Sequence, residues 1–235
     1  MRFVDKLRIK WQYWQRLGKP LGVVPKKDIR PFLPENPVIV EAGAHIGSDT
    51  VEMAQLWRDA TIHAFEPIPD LYRQLVRNTE GSANVHTYPL ALGEASGEVT
   101  LHISSGRSDA SSSVLIPKKH LEVHPDVLFE TRITAEAVTL DDWAKKHNIQ
   151  KIDMLWLDLQ GFELQVLQQS QAVLANVSVI YTEVSLIENY EKGALYQNLV
   201  AWLDTQDFAA VREEIAWKDG GNVLFVRKNK LNKHG

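Results

Sequence analysis

Short, nearly uninterrupted apolar runs recur along the chain, and most are followed by a stretch whose apolar positions fall three and four residues apart. Val38–Val40 is the first such run and Thr50–Trp57 the helix-spaced stretch after it. Thr61–Phe65 with Asp70–Asn78 repeats the pair, and Asn84–Tyr88 adds a third run. The rhythm returns in Ile152–Leu157 with Phe162–Gln169, and in Val177–Thr182 with Ala194–Thr205. Runs of this kind predict strands covered on both faces, as in parallel sheets flanked by helices. In the middle of the chain the pattern changes. Gly97–Ile103 alternates apolar and polar residues, and Thr131–Leu140 does so more weakly. Between them lies the Ser- and Pro-containing stretch Ser104–Glu130, long enough for a functional loop, and after them a short helix is expected over Asp141–His147. Phe208–Trp217 and Asn222–Arg227, joined through Asp219-Gly220-Gly221, predict a terminal β-hairpin. The fold class that follows is α/β: a mostly parallel twisted sheet with helices on both faces and one antiparallel strand from the hairpin near its edge.

The first 18 residues form a separate pattern. Phe3, Leu7, Trp11, Trp14 and Leu17 have helical spacing among Lys and Arg, and Gly18 and Pro20 end the helix. Five prolines between Gly18 and Pro37 predict an extended connector. The organisation expected is therefore a basic helix and connector over 1–36, a domain over 37–228 and a basic tail over 229–235.

Composition narrows the class. The 235 residues are 44% hydrophobic and 24% charged, a globular mix of about one large domain. The absence of cysteine excludes disulfides, iron–sulfur clusters, thiolate zinc sites and cysteine nucleophiles. No apolar stretch approaches the length of a membrane span and no signal-like run follows the N-terminus, so a soluble, cytoplasmic protein is expected. The net charge of −4 conceals an asymmetry: residues 1–30 hold nine basic residues against two acids, the last nine residues hold four basic residues and no acid, and the body between is strongly acidic. Such a body is a poor nucleic-acid binder and a natural host for a small cationic ligand. For residues 1–18 two roles stay open: contact with a membrane surface or partner, or packing over the domain or a homodimer partner.

Ligands in open α/β sheets bind beyond the carboxyl ends of the strands, where strand order reverses. Glu41-Ala42-Gly43-Ala44-His45-Ile46-Gly47-Ser48 follows the first strand directly. Its glycines permit a tight turn and close backbone approach, but it lacks the glycine spacing of a dinucleotide fingerprint and the Gly-Lys-Ser/Thr of a phosphate loop. Phe65-Glu66-Pro67 ends the second strand at the distance where an acid takes ribose hydroxyls; the alternative is an acid favoured by a helix N-terminus. Leu90-Ala91-Leu92-Gly93 is apolar enough to pack on a flat base. Asp158-Leu159-Gln160-Gly161-Phe162-Glu163 and Thr182-Glu183-Val184 close the list of strand ends. Glu41, Glu66, Asp158 and Glu183 thus place carboxylates at four of them. S-adenosylmethionine, with a sulfonium, an ammonium and a ribose diol, matches that inventory better than a nucleotide does.

These segments resemble the FkbM-type family of S-adenosylmethionine-dependent methyltransferases. The resemblance runs from about Val38 to Glu183, through Val40–Gly47, Phe65-Glu66-Pro67-Ile68-Pro69, Ala91-Leu92-Gly93, the serines of Ser111–Ser113, Val138–Asp142, Ile152-Asp153, Asp158–Glu163 and Thr182–Val184. It implies a Rossmann-like class I methyltransferase domain over 37–228 and methyl transfer to a hydroxyl of a sugar, glycan or natural product, that is, a small-molecule or glycan acceptor. By the same resemblance Glu41, Gly43, His45 and Gly47 line the methionine end, and Glu66 holds the ribose. Ala91 and Leu92 lie near the adenine, and Ser112 near the cofactor or acceptor; Ser48 and Pro67 complete the cofactor set. Asp158 is the first choice for a base or orienting group, followed by Glu183 and Glu163, each with a helix-cap or ion-pair role as the alternative. The family more often has Glu where this chain has Gln160, which removes a carboxylate and any acid–base role there.

Weaker patterns add little. His120 and His124 are four apart, but Pro125 follows and no helix is expected, so no metal site is assigned. Asp141-Asp142 is read as a helix cap. Arg107 and Lys118-Lys119 suggest contact with a polar or anionic substrate, against a plain surface loop. The rival functions are a nicotinamide-dependent oxidoreductase and a non-catalytic interaction protein on a methyltransferase scaffold.

Overall fold

The computed structural model describes residues 23–231, so the helix expected over 1–18 and the end of the basic tail lie outside the described residues. Strand β1 (Val38–Ala42) pairs in parallel with β2 (Thr61–Phe65) on one side and with β7 (Met154–Leu157) on the other. β3 (Val85–Tyr88) extends the first side; β8 (Val179–Ser185) follows β7 in parallel on the second. The hairpin β9 (Phe208–Glu214) and β10 (Gly220–Arg227) joins through β10, antiparallel to β8. The sheet order is β3-β2-β1-β7-β8-β10-β9, and it reverses direction between β1 and β7. That junction is tied at its start by Val38, whose N–H donates to Asp153 Oδ2 (3.0 Å), a residue 115 positions away.

Alternate residues of the central strands feed two cores. Ile39, Met154, Trp156, Val179 and Tyr181 meet Met53, Ala54 and Trp57 of, or just after, helix α1 (Ser48–Leu56) on one face. Val40, Leu155, Leu157 and Ile180 meet Leu140 and Trp143 of α3 (Leu140–Lys146), Val166 and Leu167 of α4 (Glu163–Gln168), and Leu199 and Leu203 of α5 (Tyr196–Thr205) on the other. Helix α2 (Pro69–Thr79) buries Leu71 and Leu75 beside β2. Among the described residues no helix is long and apolar enough to cross a membrane.

Four details depart from the sequence expectations. The connector is not extended where it is described: 3₁₀ turns at Lys26–Asp28 and Arg30–Phe32 drive Val24 and Ile29, both fully buried, onto α1, and Pro31 sits in the first turn of the second, where a fixed φ suits it. The middle of the chain forms its own small sheet, β4 (Ala91–Leu92), β6 (Val127–Val138) and β5 (Gly97–Gly106), in the order β4-β6-β5. Its β5–β6 ribbon reaches into the expected loop, because a register shift between Ile103 and Ser105 breaks the alternation that would have announced it. His120–Val123 forms a helical turn despite Pro125, which lies beyond it. Asp141-Asp142 does not cap α3: Thr139 Oγ1 accepts the Asp142 N–H (3.1 Å), and the Asp141 carboxylate instead accepts the N–H groups of Ala172 and Val173 (each 2.9 Å).

A buried histidine makes stability pH-dependent. His63 on β2 is 4% exposed, stacks on His86, meets the edge of Trp143 and hydrogen-bonds Tyr88 Oη (3.1 Å). Burial first, and the neighbouring His86 and His147 next, push its pKa down to about 4. The unfolded chain, with a histidine near 6.5, therefore binds the proton first as pH falls, and stability is lost between pH 6.5 and 4 by about 2 kcal/mol. Urea unfolding across that range is expected to show the loss in the wild type and a flatter profile in His63→Phe; parallel profiles would show that His63 carries none of it.

Candidate active site

The turn after β1 is built from left-handed residues: Gly43 (φ 81°), His45 (φ 51°) and Gly47 (φ 83°). Gly43 and Ala44 donate their N–H groups to the Phe65 carbonyl (3.1 and 2.9 Å), folding the turn over the end of β2. A Cβ at position 43 would stand 2.0 Å from the backbone carbonyl oxygen of Asp158, so glycine lets the two loops touch. His45, a side-chain-bearing residue in a glycine conformation, is held there by Glu66, whose Oε2 accepts the His45 N–H (2.8 Å) while Oε1 accepts that of Ile68 (2.8 Å). Glu66 therefore braces the glycine turn and the entry to α2 together. Burial pushes its carboxyl up to about 7, against the opposing effect of both N–H donors.

These loops open on a cavity of 680 Å³, counting the solvent at its mouth. Gly43, His45, Glu66, Pro67, Ala91, Leu92, Ser112 and Asp158 all line it, joined by apolar groups of Phe65, Leu71, Leu90 and Phe162. Glu41, Gly47, Ser48, Glu163 and Glu183 stand outside that lining. Glu41 is 1% exposed and accepts the Thr50 hydroxyl (2.5 Å); burial, then Asp49, push its pKa up to about 8. It ties β1 to α1. Gly47 caps α1 and Ser48 begins it.

The loop after β7 brings the other carboxylates together. Gln160 (φ 54°) and Gly161 (φ 94°) turn the chain, and Glu163 Oε1 accepts the N–H groups of Leu159 (2.8 Å) and Gly161 (3.3 Å) from beneath. Burial pushes Glu163 up to about 7. The Gln160 amide nitrogen donates to Asp158 Oδ1 (2.7 Å) and to Glu183 Oε2 (2.5 Å). Tyr190 Oη lies between Gln160 Oε1 (3.1 Å) and the Ser111 carbonyl oxygen (2.6 Å), and the Ser113 hydroxyl donates to the Gln160 carbonyl (3.0 Å). One amide thus bridges two acids whose side chains also lie within hydrogen-bond reach of each other. Burial and the Asp158 charge raise Glu183 well above the usual carboxylate range, whereas the Asp158 side chain is exposed to the cavity. Of the three carboxylates considered for a base, Asp158 alone lines the cavity.

Sequence reasoning missed Asp109 and Tyr190. Asp109 Oδ1 lies 3.1 Å from His45 Nε2, so the middle loop reaches the glycine turn across the cavity. Neither residue stands in a pattern that marks it; only the length of the loop pointed to Asp109. The basic residues of that loop are not among the cavity's lining residues: Lys118 pairs with Glu188 (2.6 Å) and Arg107 with Asp126 (4.0 Å). Among the described residues no cluster of His, Asp and Glu is arranged to hold a metal, His120 and His124 included; His124 Nε2 instead meets Asp219 (2.9 Å).

The cavity fits a cofactor with a cationic centre and a ribose. It offers a side-chain-free approach at Gly43, a carboxylate at Glu66, an apolar slot at Leu90–Leu92 and a second carboxylate at Asp158. Known proteins similar to this chain include methyltransferases. The profile of the methyltransferase FkbM domain matches residues 41–215. The 2-O-methyltransferase NoeI of Sinorhizobium fredii is 33% identical over 161 residues, covering 66% of each chain. Methyltransferase sdnD of Sordaria araneosa is 24% identical over 213 residues, covering 79% of this chain and 78% of that one. The present chain thus spans about two thirds of the first relative's length and somewhat more of the second's. Among solved structures, fibrillarin of Methanococcus jannaschii, a pre-rRNA processing protein, superposes with a TM-score of 0.51 at 13% identity, over 89% of this chain and 71% of that one. At that identity the likeness concerns the fold.

Proposed function

The chain belongs to the FkbM methyltransferase family, and from that premise we propose that it is an S-adenosylmethionine-dependent O-methyltransferase acting on a hydroxyl of a small molecule, sugar or glycan. The name of the 2-O-methyltransferase relative supports oxygen as the acceptor atom. The observation that carries the proposal is the placing of Asp158 at the cavity wall, with Gln160 on one of its oxygens. When bound, S-adenosylmethionine supplies a methyl group on a sulfonium, open to in-line attack by an oxygen. Glu66 accepts from the ribose hydroxyls with the lone pairs its two backbone donors leave, and Leu90, Ala91 and Leu92 pack on the adenine. Gly43 and His45 bring backbone close to the methionine end. Asp158 at the cavity wall would accept the proton of the acceptor hydroxyl, with the methyl group supplied by the bound cofactor. Much of the rate comes from alignment of the two partners, which the rigid turns around Gly43 and Gln160 provide.

Calorimetry with S-adenosylmethionine and S-adenosylhomocysteine tests the reading, and no heat at millimolar ligand would overturn it. Glu66→Ala is expected to weaken S-adenosylhomocysteine by about 10- to 100-fold, because the charged acceptor and the order of the glycine turn are lost together. Unchanged affinity would remove Glu66 from the site.

A further inference from the structure

Asp158 also borders a second concavity, a groove of 1390 Å³ with its solvent mouth, which shares no other lining residue with the cofactor cavity. Its floor is Trp156 on β7 and Tyr181 on β8, neighbours in register whose rings stack with centroids 3.7 Å apart. One wall is α1, which presents Asp49 and Glu52 with about half of each side chain exposed. The other holds Asn222 of β10 and the Trp217 indole, 41% exposed, from the β9–β10 turn. That turn is fixed: the Trp217 N–H donates to the Gly220 carbonyl (3.1 Å), and the Asp219 carboxylate meets His124 (2.9 Å) and Asn189 (2.8 Å).

A half-exposed tryptophan beside carboxylates and an amide suits a pyranose. The ring's apolar C–H face packs on the indole while its hydroxyls donate to Asp49, Glu52 and Asp158. Charge narrows the class. The Lys26 ammonium at the groove floor lies 4.7 Å from the centroid of the Trp156 ring and is already shared by Asp49 (2.6 Å) and Glu52 (2.8 Å). The lining holds three acidic residues, Asp49, Glu52 and Asp158, against two lysines, Lys26 and Lys27, so a carboxylated or phosphorylated acceptor would meet a net acidic surface.

We propose that this groove is the acceptor site and that it takes a neutral glycoside, stacked on Trp217 with one hydroxyl directed to Asp158. The proposal rests on the methyltransferase reading for the transfer step alone; sugar binding is separate from it. The two are distinguished by running saturation-transfer NMR on the full chain with and without S-adenosylhomocysteine. The probes are methyl glycosides and disaccharides of neutral hexoses and N-acetylhexosamines, their uronate counterparts and simple phenols. Neutral glycosides are expected to bind the wild type, and Trp217→Ala to lose that binding by about tenfold or more, with Trp217→Phe restoring much of it. S-adenosylhomocysteine affinity and the thermal midpoint stay as in the wild type in both variants. The proposal is overturned if no neutral glycoside binds, if uronates or phenols bind as well, or if Trp217→Ala binds sugar normally. Sugar binding without any cofactor binding would uphold the groove and sink the methyltransferase reading.

Discussion

Asp158→Asn is expected to lower methyl transfer by about 10²- to 10⁴-fold while S-adenosylhomocysteine binds as in the wild type. The substitution is nearly isosteric, and an amide oxygen still accepts the Gln160 N–H that the Asp158 carboxylate accepts now at 2.7 Å. What disappears is the capacity to take a proton from the acceptor hydroxyl. Glu183 is not a substitute, because it stands outside the cavity lining, where burial and the adjacent acid raise its pKa well above the usual carboxylate range. Glu163 is committed to the N–H groups of Leu159 and Gly161 beneath the loop. Single-turnover transfer from labelled cofactor, with calorimetry alongside, separates the outcomes. Wild-type turnover in Asp158→Asn would reduce Asp158 to a structural partner of Gln160.

Gly43→Ala is expected to have the largest effect on the fold itself. The residue has φ 81°, and an added Cβ would meet the Asp158 carbonyl oxygen at 2.0 Å. That atom is backbone, so no side chain can swing aside, and either the turn after β1 or the loop after β7 must retreat. Left-handed strain and the collision together cost about 3 kcal/mol or more, or about 6–12 °C in thermal midpoint for a domain of this size. Cofactor binding falls with it, since the same turn frames the cavity. Differential scanning calorimetry of the apo-protein reads the first effect; a wild-type midpoint would show that the two loops are looser than the contact implies.

The main sheet was legible in the sequence because its central strands are covered on both faces. Runs such as Ile152–Leu157 and Val177–Thr182 stay apolar for that reason, and the carboxylates at their ends stand out against them. The small sheet was legible only in part: the alternation of Gly97–Ile103 and Thr131–Leu140 marked the middles of β5 and β6, but β4 has two residues and the bulge between Ile103 and Ser105 hid how far the ribbon runs. Gly43, Glu66, Ala91, Leu92 and Asp158, which line the cavity, stood out from position, since each ends or follows a strand. The division of labour among the acids was not. A carboxylate spends its lone pairs on whatever N–H or hydroxyl stands nearest, and Glu41, Glu163 and Asp141 turn to Thr50, the 159–161 backbone and the 172–173 backbone. Trp217 went unnoticed because one aromatic residue in a hairpin turn forms no pattern.

The 115-residue separation between Val38 and Asp153 bears on how the protein reaches its native state. β1 with β2, and β7 with β8, are pairs that the chain can close over shorter loops, but β1 meets β7 only after the intervening β2–β6 segment has been gathered in. Loop closure of that span is a slow, high-contact-order event. Gly43 and Asp158 face each other only once it is complete. The Gly43–Asp158 contact that frames the cavity thus depends on the β1–β7 ladder, a pairing between segments far apart in the chain.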